Sequence, residues 1–330
     1  MNLTARLHAA GDVRLADEPT PVPGPGESLV EVTAVGLCGS DLHWYAEGGI
    51  GDARVGRPLV LGHEFAGVVE GGPRHGERVA VDPAMPCERC ASCRAGHHNL
   101  CPHVRFAGSG AQDGALAEFV AWPTDLLHPL PDELTDADGA LLEPLGVAIH
   151  AFDLGHVRLG ATVGVFGCGP IGLLLLQVAR AAGAARVVAT DPLPHRRAAA
   201  RRLGADDVVG PEDAGDLGDV DVAFEAAGTN DAVDTGIAAA RPGARVVLVG
   251  IPDDDRTAFS ASVARRKGLT IVLVRRMKDV YPRAIALVRQ GRVDVGGLVT
   301  ARYPLGGVDE AFRVAAAREG LKVVVEPART

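Results

Sequence analysis

The sequence predicts an α/β protein in which a doubly wound parallel sheet domain is joined to a β-rich domain, and three observations predict it. A glycine turn, GCGPIG, follows directly on the apolar strand TVGVF and opens the helix IGLLLLQVARAAG. From there strand and helix patterns alternate through RVVATD, DVDVAFEAAG and ARVVLVGIP, which implies parallel strands with crossover helices. Upstream, short β-branched runs (SLVEVTAVG, HEFAGVVE, ERVAVDP, AEFVAW) are separated by Gly and Pro turns.

These textures divide the 330 residues into a β-rich domain over 1–147, the parallel α/β domain over 148–275, and a segment over 276–330 that returns to the first domain with a closing strand, LKVVVEP. The length suffices for two cores. Hydrophobic residues at 47% and charged residues at 23% describe an ordinary globular chain. A net charge of -9 has the wrong sign for a nucleic-acid or anionic-lipid partner, so a small molecule is expected instead. The greasiest run, IGLLLLQVA, falls far short of the ~20 residues that cross a bilayer and reads as a buried helix. MNLTARLHAAGDVRLADEP lacks the uninterrupted apolar stretch of a signal peptide, and with six cysteines, four of them clustered, a reducing cytoplasm is the expected setting.

The clustered cysteines, Cys87, Cys90, Cys93 and Cys101 of CERCASCRAGHHNLC, have the spacing C-x2-C-x2-C-x7-C. Thiolates two residues apart on a tight turn reach one tetrahedral Zn²⁺, and four sulfurs fill its coordination sphere. Such a site is structural, and catalysis must lie elsewhere; a disulfide framework is the competing reading. In the glycine turn, Gly167 permits the bend, Gly169 lets backbone approach a pyrophosphate, and Gly172 lets helix and strand pack closely, while Pro170 and Ile171 begin the helix whose N-terminus faces the phosphates. Asp191, 24 positions after Gly167, ends the next strand and suits the ribose hydroxyls of NAD. The basic run His195, Arg196, Arg197 would also admit NADP. Cys168 reads as a small packed residue. Two further glycine-flanked turns offer ligands: VGLCGSDLHWYAEGG with Cys38, and LVLGHEFAGVVE with His63 and Glu64.

Taken in order, LCGSDLH, GHEFAG, the four-cysteine loop, EPL at 143–145 and GCGPIG resemble the zinc-dependent medium-chain dehydrogenases over essentially the whole chain. HWYAEGG, RFAGS and EPLGVAIHA look most like the polyol branch, the L-idonate 5-dehydrogenases and sorbitol dehydrogenases. The resemblance implies a GroES-like catalytic domain, a Rossmann domain, one catalytic and one structural zinc per chain, NAD (NADP possible) and a homodimer or homotetramer. It implies that Cys38, His63 and Glu64 ligate the catalytic zinc, with Glu143 contacting the metal through water. Ser40 and His43 then pass the alcohol proton toward solvent, and Arg276 lies near the substrate. The implied reaction oxidises a secondary alcohol of a polyol or sugar acid, with L-idonate to 5-dehydro-D-gluconate as the first expectation and sorbitol, threonine or butanediol oxidation as alternatives. A zinc-free quinone or enoyl reductase and a non-enzymatic nucleotide-binding protein are the competing classes. The chain departs from the family pattern in the short connection EGGPRHGERV and in Met277, where relatives commonly have an aromatic residue.

Overall fold

The computed structural model describes residues 1–327, and the chain forms two compact units. The first comprises Met1–Glu143 and the chain from Val295 onward; the second is Pro144–Asp294.

In the first unit the strand Glu27–Gly36 is central. It pairs antiparallel with Glu64–Glu70, Phe119–Pro123 and Lys322–Glu326, and Glu64–Glu70 passes the ladder on to Arg78–Val81. Its burial alternates along ESLVEVTAVG before becoming continuous at the end nearest Cys38, as expected of a strand covered on one face and then on both. The core behind it holds Val30, Val32, Phe65, Leu116, Trp122 and Phe312. Phe65 and Trp122 meet edge to face at 5.6 Å, and the indole N–H of Trp122 donates to the Asp82 carbonyl, so the ring is buried without an unpaired donor.

The second unit is built on a six-stranded parallel sheet. Numbered by chain order within the unit, Thr162–Phe166, Arg186–Thr190, Asp207–Val209, Val220–Glu225, Ala240–Leu248 and Thr270–Leu273 lie in the order 3-2-1-4-5-6. The direction of winding reverses beside Thr162–Phe166, and the crevice at the carboxyl ends of the strands there is where a doubly wound sheet binds a dinucleotide. The helix Pro170–Ala181 leaves this strand through the glycine turn and is buried without a break from Gly172 to Ala179, which accounts for the run GLLLLQVA without a membrane. Among the described residues no helix is long and apolar enough to cross one.

The chain returns to the first unit at Val295, 19 residues beyond the expected 276 (295 minus 276). The intervening segment stays with the parallel sheet for two reasons. The helix Tyr281–Arg289 buries Tyr281 and Ala284. Gln177, inside the long buried helix, donates its amide to the Asp294 carbonyl (3.2 Å) and accepts the Asp294 N–H (2.7 Å). At the other junction the boundary falls between Glu143 and Pro144, within the helix Asp136–Gly155.

Candidate active site

Cys38, His63 and Glu64 converge in the first unit, each offering one ligand atom, and these atoms all lie within 4.8 Å of one another. Three strand ends bring them together. Gly36 closes one strand and pairs in register with Glu64, which opens the next. A Cβ at Gly36 would overlap Glu64 Oε2, so only glycine lets the carboxylate lie across the neighbouring strand. Lys322 opens the third strand, which pairs with the first at Gly36.

Asp41 and Lys322 hold this arrangement. Asp41, fully buried, accepts the Cys38 N–H (3.0 Å) through one oxygen, and through the other it accepts the Gly62 N–H (3.2 Å) and faces His63 Nδ1 at 3.4 Å. It thus ties both ligand-bearing turns to one carboxylate and fixes the imidazole through the nitrogen that a metal would not use. Burial would raise the Asp41 carboxyl, but His63 and the two backbone donors outweigh it and hold it below the usual range. Burial would likewise lower His63, and Asp41 and Cys38 hold it well above its usual value instead. Lys322, also buried, donates to Glu64 Oε1 (2.7 Å) and to the Leu37 carbonyl (2.9 Å). Its burial cost is more than offset by Glu64 and Cys38, so it stays charged. Glu64 Oε2 also lies 2.6 Å from the same ammonium, without the geometry of a hydrogen bond, so both carboxylate oxygens face Lys322. One sulfur, one imidazole and one carboxylate within reach of one another fit Zn²⁺ and leave a coordination position open.

Glu143 stands beside this trio, outside the set of atoms within 4.8 Å. It is buried, and burial pushes its carboxyl up to about 7, with His63 and Lys322 acting against that and Glu64 adding to it. Ser40 and His43, both half-buried, sit three apart on the helix Gly39–Glu47 that follows Cys38, where side chains share a face, and His43 Nδ1 is 3.4 Å from Glu47. Phe106 packs its ring at 5.2 Å against His63. Arg276 belongs to the second unit, where its backbone is left-handed (φ 53°).

The four-cysteine lobe closes on itself. A two-residue strand pair, Ala84–Met85 with Arg105–Phe106, forms its base. Cys87, Cys90, Cys93 and Cys101 bring their sulfurs within 4.8 Å of one another, with Cys90 Sγ 3.5 Å from Cys93 Sγ and 3.9 Å from Cys101 Sγ. All four are free thiols, and these separations exceed the ~2.05 Å of a disulfide, so the structure fits the metal reading. The backbone N–H of Arg89, above all, lowers the Cys87 thiol to about 6, which favours a thiolate ligand.

In the second unit, Gly167 has φ 108°, and a Cβ there would fall 2.7 Å from the Ala227 nitrogen; one at Gly172 would overlap the Gly167 carbonyl. At Gly169, by contrast, the nearest atom to a Cβ would be Arg196 Nη1 at 3.7 Å, so this face of the turn is open and basic. Pro170 starts the helix, followed by Ile171, and the first-turn N–H groups point out of it. The geometry fits a pyrophosphate. Asp191 is less free than expected: Oδ2 accepts the Cys168 N–H (2.8 Å) and Oδ1 accepts the Leu193 N–H (2.8 Å), so the carboxylate braces the glycine turn itself. Burial pushes the Cys168 thiol up to about 12, consistent with a packed residue.

Comparison with known proteins agrees with this geometry. Residues 24–132 match the alcohol dehydrogenase GroES-like domain family, and residues 170–290 match the zinc-binding dehydrogenase family. The sorbitol dehydrogenase of Homo sapiens is 39% identical, over 98% of this chain and 96% of its own. The L-idonate 5-dehydrogenase of Escherichia coli is 29% identical with a TM-score of 0.92 over 98% of both chains. A putative zinc-binding dehydrogenase of Sinorhizobium meliloti bound to NADP is 32% identical with a TM-score of 0.90 over 99% of both chains. Two donor sets able to hold zinc, a dinucleotide-binding sheet and these matches together mark an oxidoreductase acting on CH–OH with a nicotinamide cofactor. Within that class, the chain belongs to the zinc-dependent medium-chain alcohol and polyol dehydrogenases.

Two predictions rest on these geometries. Because a structural zinc contributes directly to folding free energy, Cys93→Ser is expected to reduce bound zinc from two ions per chain to one and to lower the melting temperature, while residual folded enzyme keeps its KM. Unchanged melting with lost turnover would contradict the structural role. Lys322→Met leaves Glu64 buried without its cation and is expected to cost about 3–5 kcal/mol in urea unfolding of the zinc-free protein. Adding Glu64→Gln should recover most of that loss, as a double-mutant cycle will measure.

Proposed function

We propose that this enzyme oxidises a secondary alcohol of a neutral polyol such as sorbitol to the ketose, with NAD as acceptor. The observation that carries this reading is the charge of the site. Asp41, Glu64 and Glu143 are all buried in the first unit around the Cys38 thiol, with Lys322 the lysine buried among them. Such an environment favours hydroxyl groups, which donate hydrogen bonds to carboxylates, and opposes an added substrate carboxylate. The greater identity with sorbitol dehydrogenase supports the same choice. L-idonate 5-dehydrogenation is the second reading; it draws on the structural likeness to the Escherichia coli enzyme and on Arg276, whose guanidinium would pair with a sugar-acid carboxylate.

In this reading Cys38, His63 and Glu64 would hold the zinc, with Glu143 next to them placed to contact it through water. Bound there, zinc acts as a Lewis acid that lowers the pKa of the substrate hydroxyl. Ser40 Oγ would accept the hydroxyl proton while passing its own to His43, and the imidazole would release a proton to solvent. Phe106 excludes water on the His63 side. Gly169 and the first turn of the following helix bind the pyrophosphate, and Asp191 accepts the adenosine ribose hydroxyls, favouring NAD over NADP. Arg196, at the open face of the turn, keeps NADP within reach. Assembly as a homodimer or homotetramer in the cytoplasm belongs to the same reading.

The substrate test is NAD reduction with sorbitol, xylitol, L-idonate, D-gluconate, L-threonine and 2,3-butanediol. The expected order places sorbitol and xylitol first in kcat/KM; a clear preference for L-idonate would replace this reading with the second. Since Asp191 both braces the turn and suits the ribose, Asp191→Asn, which keeps one carbonyl acceptor for the brace, should weaken NAD binding while leaving the KM for NADP nearly unchanged or improved. Equal weakening of both cofactors would reduce Asp191 to its bracing role.

A further inference from the structure

The glycine turn lies at the carboxyl end of the strand Thr162–Phe166, and a cavity of about 500 Å³ lies at the amino end of the same sheet. Five residues of strand, roughly 17 Å, separate the two. The cavity is lined by the loop before that strand, from Gly155 to Ala161, and by the starts of Val220–Glu225 and Ala240–Leu248. At the last of these the ladder skips: Val220 pairs with Ala240, but Val222 pairs with Arg245. The extra residues Arg241–Ala244 leave the ladder in a turn at Gly243 (φ 78°), carrying Arg241 to the cavity wall.

Three arginines, Arg158, Arg241 and Arg245, line this one cavity, and among the described lining residues Asp221 is the single acid. Asp221 is already committed, accepting the Thr162 N–H at 2.7 Å and Arg241 Nε at 2.6 Å. Asp153, on the helix leading into the cavity loop, is paired with Arg283. Arg158 and Arg245 have no ion pair among the described residues, and Arg245 is half-buried. Gly160 and Gly243 add open backbone to the wall: a Cβ at either would meet nothing within 4 Å. Two like charges that share a cavity without a counterion repel each other, and a bound anion removes that repulsion. More than one unpaired guanidinium favours a ligand with more than one negative charge, and the fixed fork of arginine matches tetrahedral oxyanions. A phosphoryl group meets both conditions, carrying a charge of about -1.5 to -2 at neutral pH.

We propose that this cavity, at the end of the sheet away from the cofactor turn, binds the phosphoryl group of a small molecule through Arg158 and Arg245. The volume exceeds that of a bare phosphate, so it accommodates a phosphate ester. The test uses the zinc- and NADH-loaded enzyme, in which NADH occupies the glycine turn, titrated calorimetrically with inorganic phosphate at constant ionic strength, chloride compensating. Saturable binding is expected, and in the variant Arg158→Gln with Arg245→Gln its affinity should fall at least about tenfold while the KM for NAD stays unchanged. A parallel titration with glycerol 3-phosphate distinguishes the sources: tighter binding than phosphate assigns the rest of the cavity to the ester, and equal binding assigns the site to the free ion. The absence of saturable phosphate binding by the wild-type protein, or equal affinity in the double variant, overturns the proposal. Both substituted side chains are outside the core, and a melting temperature unchanged in phosphate-free buffer will show that the variant is folded.

Discussion

Burying the carboxylate of Glu64 obliges the first unit to bring in positive charge, and the source it uses is an ammonium 258 residues further along the chain. Lys322 sits at the start of the strand Lys322–Glu326, whose pairing with Glu27–Gly36 brings the ammonium to the site. A buried ion pair of this kind is weak evidence for stability, because desolvation of both ions offsets their attraction. What it provides is position. With the Leu37 carbonyl and Glu64 Oε1 holding the ammonium, the carboxylate is fixed within reach of Cys38 and His63. Gly36 completes the constraint from the opposite strand, since a side chain there would take the place of the carboxylate.

The second unit solves a related problem by different means. Its glycine turn must come close to a pyrophosphate and still keep one shape, and glycine alone supplies freedom rather than shape. Gly167 and Gly172 are pinned sterically by Ala227 and by each other, while the buried peptide at Cys168 is pinned by Asp191. The carboxylate therefore fixes the floor of the site from beneath, and a hydroxyl of the ribose would join a carboxylate that already accepts two backbone N–H groups. An oxygen with several lone-pair sites can do both.

The parts of this architecture that were legible in the sequence are those written over a short span. The Rossmann alternation, the glycine turn and the four-cysteine loop each declare themselves within fifteen or so residues, because their geometry is set by local backbone and by spacing. Cys38, His63 and Glu64 were legible through the order of motifs, which a resemblance can read and periodicity cannot. Asp41 lay within the quoted LCGSDLH, and its position three residues after Cys38, at the third residue of a helix, was the available signal for a cap that doubles as the partner of His63. Lys322 offered no such signal: a lysine opening an apolar strand reads as a solvated end until the strand's partners are known. The late return of the chain at Val295 was hidden for the same reason, since it depends on Gln177, 117 residues before Asp294.

The two donor sets of the first unit consequently differ in what must happen before they exist. The cysteine lobe draws all its ligands from fifteen consecutive residues on a two-strand base, so closing it costs little chain entropy and it can form while the rest of the chain is unfolded. The set Cys38, His63 and Glu64 needs the pairing of Gly36 with Glu64, the bridging of Cys38 and Gly62 by Asp41, and the arrival of Lys322 with the last strand. Long-range contacts of this kind form late, because loop closure must be offset before they stabilise anything. Until the ammonium arrives, the site would hold a surplus of buried negative charge, and it is therefore unstable as an intermediate. The three-residue donor set is thus coupled to completion of the fold, whereas the four-cysteine set is not.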